Sequence, residues 1–298
     1  MQNDGFENLK RAWLYVRQNK YLWLIAFVIA FAGGGSQGFS LWVQSPIPRG
    51  LTGLSPVHRI GTRITDFAHG NAAFWALFLI IGFFVGVVVV AAGAFAQASA
   101  IGAVSDIEYG HPSGLGGAWE WGKSHFPRFF VLVLGYLLVI AVIAAPSYLF
   151  WWTIGKKGTI LPCLGALIFG VGLVVAMLFL SILFELAARY LVIEDRGIFE
   201  SVHMAYLCFK DFWREVVLTW LYVLAVSILG AIVMVAVIAV LSIPLSSIFT
   251  MADRHHNAFT IALAMLSFIV VWGVAAAASG IFIMTGSTLW TLTFIEIK

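Results

Sequence analysis

Glu185 and Arg189 stand four residues apart in the stretch "FELAAR", at one end of a long apolar run. On a helix that spacing sets a carboxylate beside a guanidinium. In an apolar setting each charge is costly unless it is paired or has a task. Two readings are open: an ion pair that neutralises itself, or a buried functional pair. Histidine is the other residue type that could do chemistry, as a ligand for metal or a tetrapyrrole, and the chain has seven. His255 and His256 form a doublet near Asp253, and His58 and His69 fall in a segment rich in Pro and Gly. His111, His125 and His203 lie at the ends of apolar runs. None sits mid-run, where a ligand for a buried haem or chlorophyll would stand, although a pigment held at the periphery is left open. Cys163 and Cys208 are too few for a thiolate metal site or a disulfide framework. No acid, base and nucleophile assemble in the sequence, so a non-enzyme without cofactor or metal is expected.

The elements that carry these residues must face lipid. Hydrophobic residues make up 61% of the 298 and the mean hydropathy is +0.98, whereas soluble domains hold ~45–50% apolar residues. The expectation is an all-α, polytopic membrane bundle forming a single domain over residues 1–298. The net charge of +3 comes without a basic run, so no nucleic-acid partner is expected. The first twenty residues, "MQNDGFENLKRAWLYVRQNK", are polar and helix-patterned, unlike a cleavable signal.

A membrane-crossing helix needs ~20 mostly apolar residues. Six segments meet that requirement: Tyr21–Val43, Asn71–Ile101, Arg128–Trp152, Ile160–Ala187, Glu215–Phe249 and Ala258–Leu292. Lys and Arg gather on the cytoplasmic side. With the N-terminus inside, the inner segments carry eleven (Lys10, Arg11, Arg17, Lys20, Lys123, Arg128, Arg189, Arg196, Lys210, Arg214 and Lys298) and the outer loops six. Both termini of this multi-pass protein are therefore expected in the cytoplasm. The first span is interrupted by "AGGGSQG" at Ala32–Gly38, where each glycine costs about 1 kcal/mol of helix stability. This is either a broken helix lining a cavity or a helix that ends early into the outer loop Ser45–Gly70. In the sixth span, Gly273, Ala275–Ala278, Ser279 and Gly280 suit close helix contact. Thr285, Ser287, Thr288 and Thr291 could bond to carbonyls or line a polar pore.

Ten of the chain's 17 basic and 14 acidic residues fall between Glu185 and Glu215. A repeat offers a reason. "GFENLKRAWLYVRQNKYLWLIAF" from Gly5, "PSGLGGAWEWGKSHFPRFFVLVL" from Pro112 and "FESVHMAYLCFKDFWREVVLTWL" from Phe199 align on Ala12-Trp13, Ala118-Trp119 and Ala205-Tyr206. Five residues after each alanine comes a cation: Arg17, Lys123 and Lys210. Each copy runs into an odd-numbered span, which makes the chain a three-fold repeat of interfacial helix, span, loop and span, with units near 1–101, 102–187 and 188–298. Phe6, Leu9, Trp13 and Val16 form an apolar stripe, as do Phe199, Val202, Tyr206, Phe209 and Trp213. Asp4 with Glu7 resembles a capping box, and Gly110 and Gly197 stand where a helix-stopping glycine would. The expectation is three amphipathic helices in the inner headgroup layer, anchored by Trp13, Trp119 and Tyr206 with Arg17, Lys123 and Lys210. The dense charge would then form the wet face of the third.

The stretches "AQASAIGAVSDIEYG", "GGAWEWGKSHFPRFFVL" and "ELAARYLVIEDRGIFESVHMAYLCFKDFWREV" resemble the membrane domain attached to some bacterial glycerophosphodiester phosphodiesterases, and related stand-alone six-helix bacterial membrane proteins. The resemblance covers most of the chain from about Phe95. It implies a bacterial inner-membrane module, without the separate hydrolase domain and without any catalytic residue to carry over. The function expected is a non-catalytic module that interacts with membrane lipids or serves as an accessory subunit of a larger membrane assembly. The alternative is a transporter or channel for a small apolar or amphipathic compound.

Overall fold

The computed structural model describes residues 5–34, 72–154, 160–255 and 258–298, and every regular element among them is a helix. In chain order these are α1 (Gly5–Gln18), α2 (Tyr21–Ile29) running into a π-helical turn (Ala30–Gly34), α3 (Ala72–Glu108), α4 (Leu115–Ile154), α5 (Ile160–Ile193), α6 (Ile198–Asp211), α7 (Trp213–His255) and α8 (Ala258–Ile297). Five of them, α3, α4, α5, α7 and α8, are long and apolar enough to cross a membrane, and Tyr21–Ala32 is apolar but shorter. The most apolar stretch of α3 buries none of its residues: Leu79, Phe83 and Val88 are all exposed. A helix apolar on every side and covered on none requires lipid as its solvent. The chain is thus a multi-pass membrane protein. The remainder of the first expected span, the loop at Ser45–Gly70 with His58 and His69, and His256 lie outside the described residues.

Helix ends follow local chemistry. Gly110, at φ +73, stops α3; only a residue without Cβ adopts that conformation freely. At the end of α5 the left-handed residue is Asp195 (φ 52), not Gly197, which at φ −67 instead precedes α6. Aspartate tolerates this region because its short polar side chain can bond locally, and here Arg128 holds the carboxylate at 2.7 Å. The copy beginning at Pro112 forms no helix of its own. Trp119 and Lys123 lie in the first turns of α4, which continues through Pro127 into the apolar run. Proline removes one rung of the helix there and leaves the rest of the ladder intact.

The chain divides into two compact units, one of residues Met1–Gln18, Ala94–Leu224 and Thr285–Lys298, the other of Asn19–Gly93 and Ala225–Met284. Neither follows the boundaries of the sequence repeat. The first unit is built around Phe129, Leu132, Leu186, Leu191, Trp290 and Phe294, with Tyr190 edge-on to Phe294 at 4.8 Å. A smaller cluster joins Ala12 to Leu289 and Leu292. In the second unit the contacts are backbone-close. A Cβ on Gly280 would come within 2.8 Å of the Ala26 carbonyl oxygen, and one on Gly93 within 2.9 Å of the Ala32 Cβ. Lipid gives helices no hydrophobic reason to associate, so small residues that permit close packing supply the attraction.

Candidate functional site

The three aligned copies share a burial pattern. Ala12, Ala118 and Ala205 are all buried, while the aromatic residue that follows each is open: Trp13 is 45% exposed, Trp119 62% and Tyr206 50%. Arg17, Lys123 and Lys210 are exposed as well. Each ring is four residues before its cation on a continuous helix, and so beside it on the surface. The packed face of α1 is Asn8, Ala12 and Val16, and that of α6 is Ser201, Ala205 and Cys208. Phe6, Trp13, Phe199, Val202 and Tyr206 face outward, but the expected stripes are not wholly open: Val16 is fully buried, and Leu9 and Phe209 pack against the core.

Most of the charge between Glu185 and Glu215 is tied up in bonds rather than forming a wet helix face. Glu194 accepts from Arg196 at 2.7 Å and forms an ion pair with Lys298 at 2.9 Å. Asp195 pairs with Arg128, and Arg196 also pairs with Glu200. The turn between α5 and α6 thus fastens α4, α6 and the end of α8. Burial pushes the Glu194 carboxyl up, but the bonds from Lys298 and Arg196 outweigh it and hold the group below the ordinary carboxylate range. Lys210, Asp211, Arg214 and Glu215 remain as the outward part.

A second polar knot was not legible in the sequence. Asn8 donates to Glu296 at 2.6 Å, Tyr15 donates to Glu108 at 2.9 Å, and Arg11 pairs with both Glu108 and Glu296. The partners are separated by 93 to 288 positions, beyond any local spacing rule. An asparagine on the buried face of an amphipathic helix was the available signal, since a buried amide must find a partner. Trp121, two residues from the expected anchor Trp119, works inward: it donates to Asp106 at 2.9 Å and its ring lies on Gly102.

Glu185 and Arg189 are in contact. Arg189 is fully buried, donates to the Glu185 backbone carbonyl, and reaches α8 to donate to the Ser287 carbonyl at 3.0 Å. Its guanidinium carbon is 6.0 Å from the Trp290 ring centre. Thr291 also donates to the Ser287 carbonyl at 3.0 Å, and Thr219 donates to Thr293 at 3.2 Å.

Among the described residues, Ser124, His125 and Asp195 make the nearest approach to catalytic chemistry. The Ser124 hydroxyl lies 2.8 Å from His125 Nδ1 but also bonds the Trp121 carbonyl at 3.1 Å. His125 Nε2 is 3.6 Å from Asp195, whose closer partner is Arg128, and its ring stacks on Trp121. The carboxylate is oriented by the guanidinium rather than by the imidazole, so the arrangement braces the α5–α6 turn against α4. Burial pushes the Cys208 thiol up, against an opposing hydrogen bond with Tyr190, which disfavours the reactive thiolate. Among the described residues, no three His, Cys, Asp or Glu side chains gather to hold a metal. No family model, curated protein or solved structure matches the chain.

Proposed function

We propose that the chain is a non-catalytic inner-membrane module of six spans with cytoplasmic termini, which interacts with lipid or serves as an accessory subunit of a larger membrane assembly. In this reading α2 is the inner half of the first span, and the three repeat copies lie at the cytoplasmic headgroup layer. The kinship proposed is with the membrane domains attached to bacterial glycerophosphodiester phosphodiesterases. One observation carries the reading: in all three copies a small residue is packed into the protein while the aromatic beside it is open. An aromatic row facing outward at the end of a membrane span is what an interfacial anchor requires. Thr285, Thr288 and Thr291 are buried and Thr291 donates to the Ser287 carbonyl, although the Thr288 hydroxyl has no hydrogen-bond partner; this burial favours the module reading over a polar pore through α8.

Two experiments test it. Single cysteines at Ser55 and His203, in a chain freed of Cys163 and Cys208, are treated with an impermeant thiol reagent on intact cells. Labelling at Ser55→Cys alone supports the orientation, and labelling at His203→Cys alone inverts it. Purification under native conditions followed by mass spectrometry addresses the role. Bound phospholipid or a stoichiometric membrane partner supports the module reading, whereas a retained small solute would transfer the argument to transport.

A further inference from the structure

Cations near the repeat copies fall into two sets. Lys10 pairs with Glu7, Arg11 with Glu108 and Glu296, Arg128 with Asp195, Arg189 with Glu185, and Arg196 and Lys298 with Glu194. Among the described residues, Arg17, Lys20, Lys123, Lys210 and Arg214 make no ion pair with a carboxylate, and Arg214 lies over the Trp213 ring at 5.5 Å. Three of these five occupy one position of the repeat, and each has an exposed ring four residues before it. The carboxylates nearest in sequence, Glu120 and Asp211, are not paired with them either. Lys20 and Arg214 apart, the other described cations near the copies are paired, and the repeat position is open three times.

We propose that Arg17, Lys123 and Lys210 are three equivalent docking positions for the headgroup phosphate of anionic phospholipid, each with Trp13, Trp119 or Tyr206 set among the adjoining acyl chains. The proposal builds on the reading of the repeat copies as interfacial, and it names the ligand. Arg17 precedes the start of α2 at Tyr21 by four residues and Lys210 precedes the start of α7 at Trp213 by three, so in the chain both cations come just before an apolar helix. Lys123 lies within α4, one turn before Pro127. A cation at such a level meets the phosphate layer, and its aromatic neighbour the boundary beneath it. A carboxylate in the cation's place would be repelled by the same surface.

The test uses the full chain reconstituted into vesicles of equal phosphatidylglycerol and phosphatidylcholine, then extracted gently, with the co-purifying lipids quantified by mass spectrometry. The wild type should retain phosphatidylglycerol in excess. Arg17→Gln, Lys123→Gln and Lys210→Gln together should abolish the excess, with each change worth about fivefold in preference. A charge-matched triple variant, Lys10→Gln, Arg128→Gln and Lys298→Gln, should keep the excess, as should the exchange Arg17→Lys, Lys123→Arg and Lys210→Arg. Equal loss in both glutamine triples would overturn the proposal in favour of bulk charge, and an unchanged excess in the first would overturn it outright. Either result leaves the module reading standing. That reading fails separately, if the wild type co-purifies with solute in place of lipid.

Discussion

Arg189 on α5 donates to the main-chain carbonyl of Ser287 on α8 at 3.0 Å, from a side chain with no exposure at all. Its carboxylate partner Glu185 is 34% exposed. The pair is therefore unequal: the cation is committed to the protein interior and the anion is not. Removing the anion strands a buried charge, while removing both returns the site to apolar packing. Glu185→Leu should cost about 3 kcal/mol, the low end for breaking a buried pair because Glu185 is partly open. Glu185→Leu with Arg189→Met should recover most of that. Thermal unfolding of the purified variants in detergent reads the difference, and a double variant no more stable than Glu185→Leu would refute the account.

Gly280 and Gly273 look alike in sequence, two glycines in one small-residue stretch of α8. Their surroundings differ. A Cβ at Gly280 would press on the Ala26 carbonyl at 2.8 Å, whereas a Cβ at Gly273 meets nothing within 4 Å. Backbone cannot yield as a flexible side chain does. Gly280→Ala is expected to destabilise by about 1–3 kcal/mol through overpacking. Gly273→Ala is expected to be neutral or to stabilise by up to about 1 kcal/mol through helix propensity. Melting curves of the two variants, measured side by side, settle whether close approach or mere composition keeps glycine in α8.

The limits of sequence reading follow from the distance over which a rule acts. Apolar runs and i,i+4 spacing are local, and they located α3, α4, α5, α7 and α8 and placed Glu185 beside Arg189. The alanine-aromatic register is local as well, and at each of the three pairs the structure buries the alanine and exposes the aromatic. Whether a copy forms its own helix depends on the breaks around it. Asn19 and Phe212 interrupt the chain after α1 and α6, whereas Pro127 is absorbed inside α4. The assignment of Asp195 and Glu194 to a brace, rather than to a solvated face, depends on Arg128 and Lys298, which approach only once the chain has folded.

Glu194 gives that brace a measurable signature. Its carboxyl is held below its ordinary value by Lys298 and Arg196 against the opposing effect of burial. A depressed carboxylate contributes stability above its unfolded pKa, and the contribution is lost as pH falls toward the folded value. Wild type should exceed Glu194→Gln by about 1 kcal/mol at neutral pH, a modest figure because Lys298 and Arg196 are partly exposed. The gap should close below about pH 4.3. Stability profiles of both proteins between neutral pH and pH 3 check this, and a gap that widened on acidification would have the wrong sign for the pairing described.

Ala205 and Tyr206 are neighbours in the chain with opposite environments, and so are Ala12 and Trp13. The two sides of α1 and α6 should accordingly fail in different ways. A bulky residue in place of a buried alanine strains the packing, so Ala205→Leu should lower the unfolding temperature of protein that has already assembled, by about 1–3 kcal/mol of stability. On the interfacial reading, acidic replacement of the outward rings would remove area from the acyl boundary, about 1 kcal/mol for each half-exposed aromatic, and add charge that an anionic surface repels. Trp13→Glu combined with Tyr206→Glu should therefore reduce membrane assembly, on the order of thirtyfold in the partition between assembled and unassembled chain. The folded fraction that remains should melt near the wild-type temperature. His203→Ala, exposed on the same helix as Tyr206, should change neither quantity. Comparing membrane-fraction yield with melting temperature separates the two effects. If the glutamate pair lowered the melting temperature and left the yield intact, the aromatics would belong to the protein's packing, and the interfacial reading of α1 and α6 would fall.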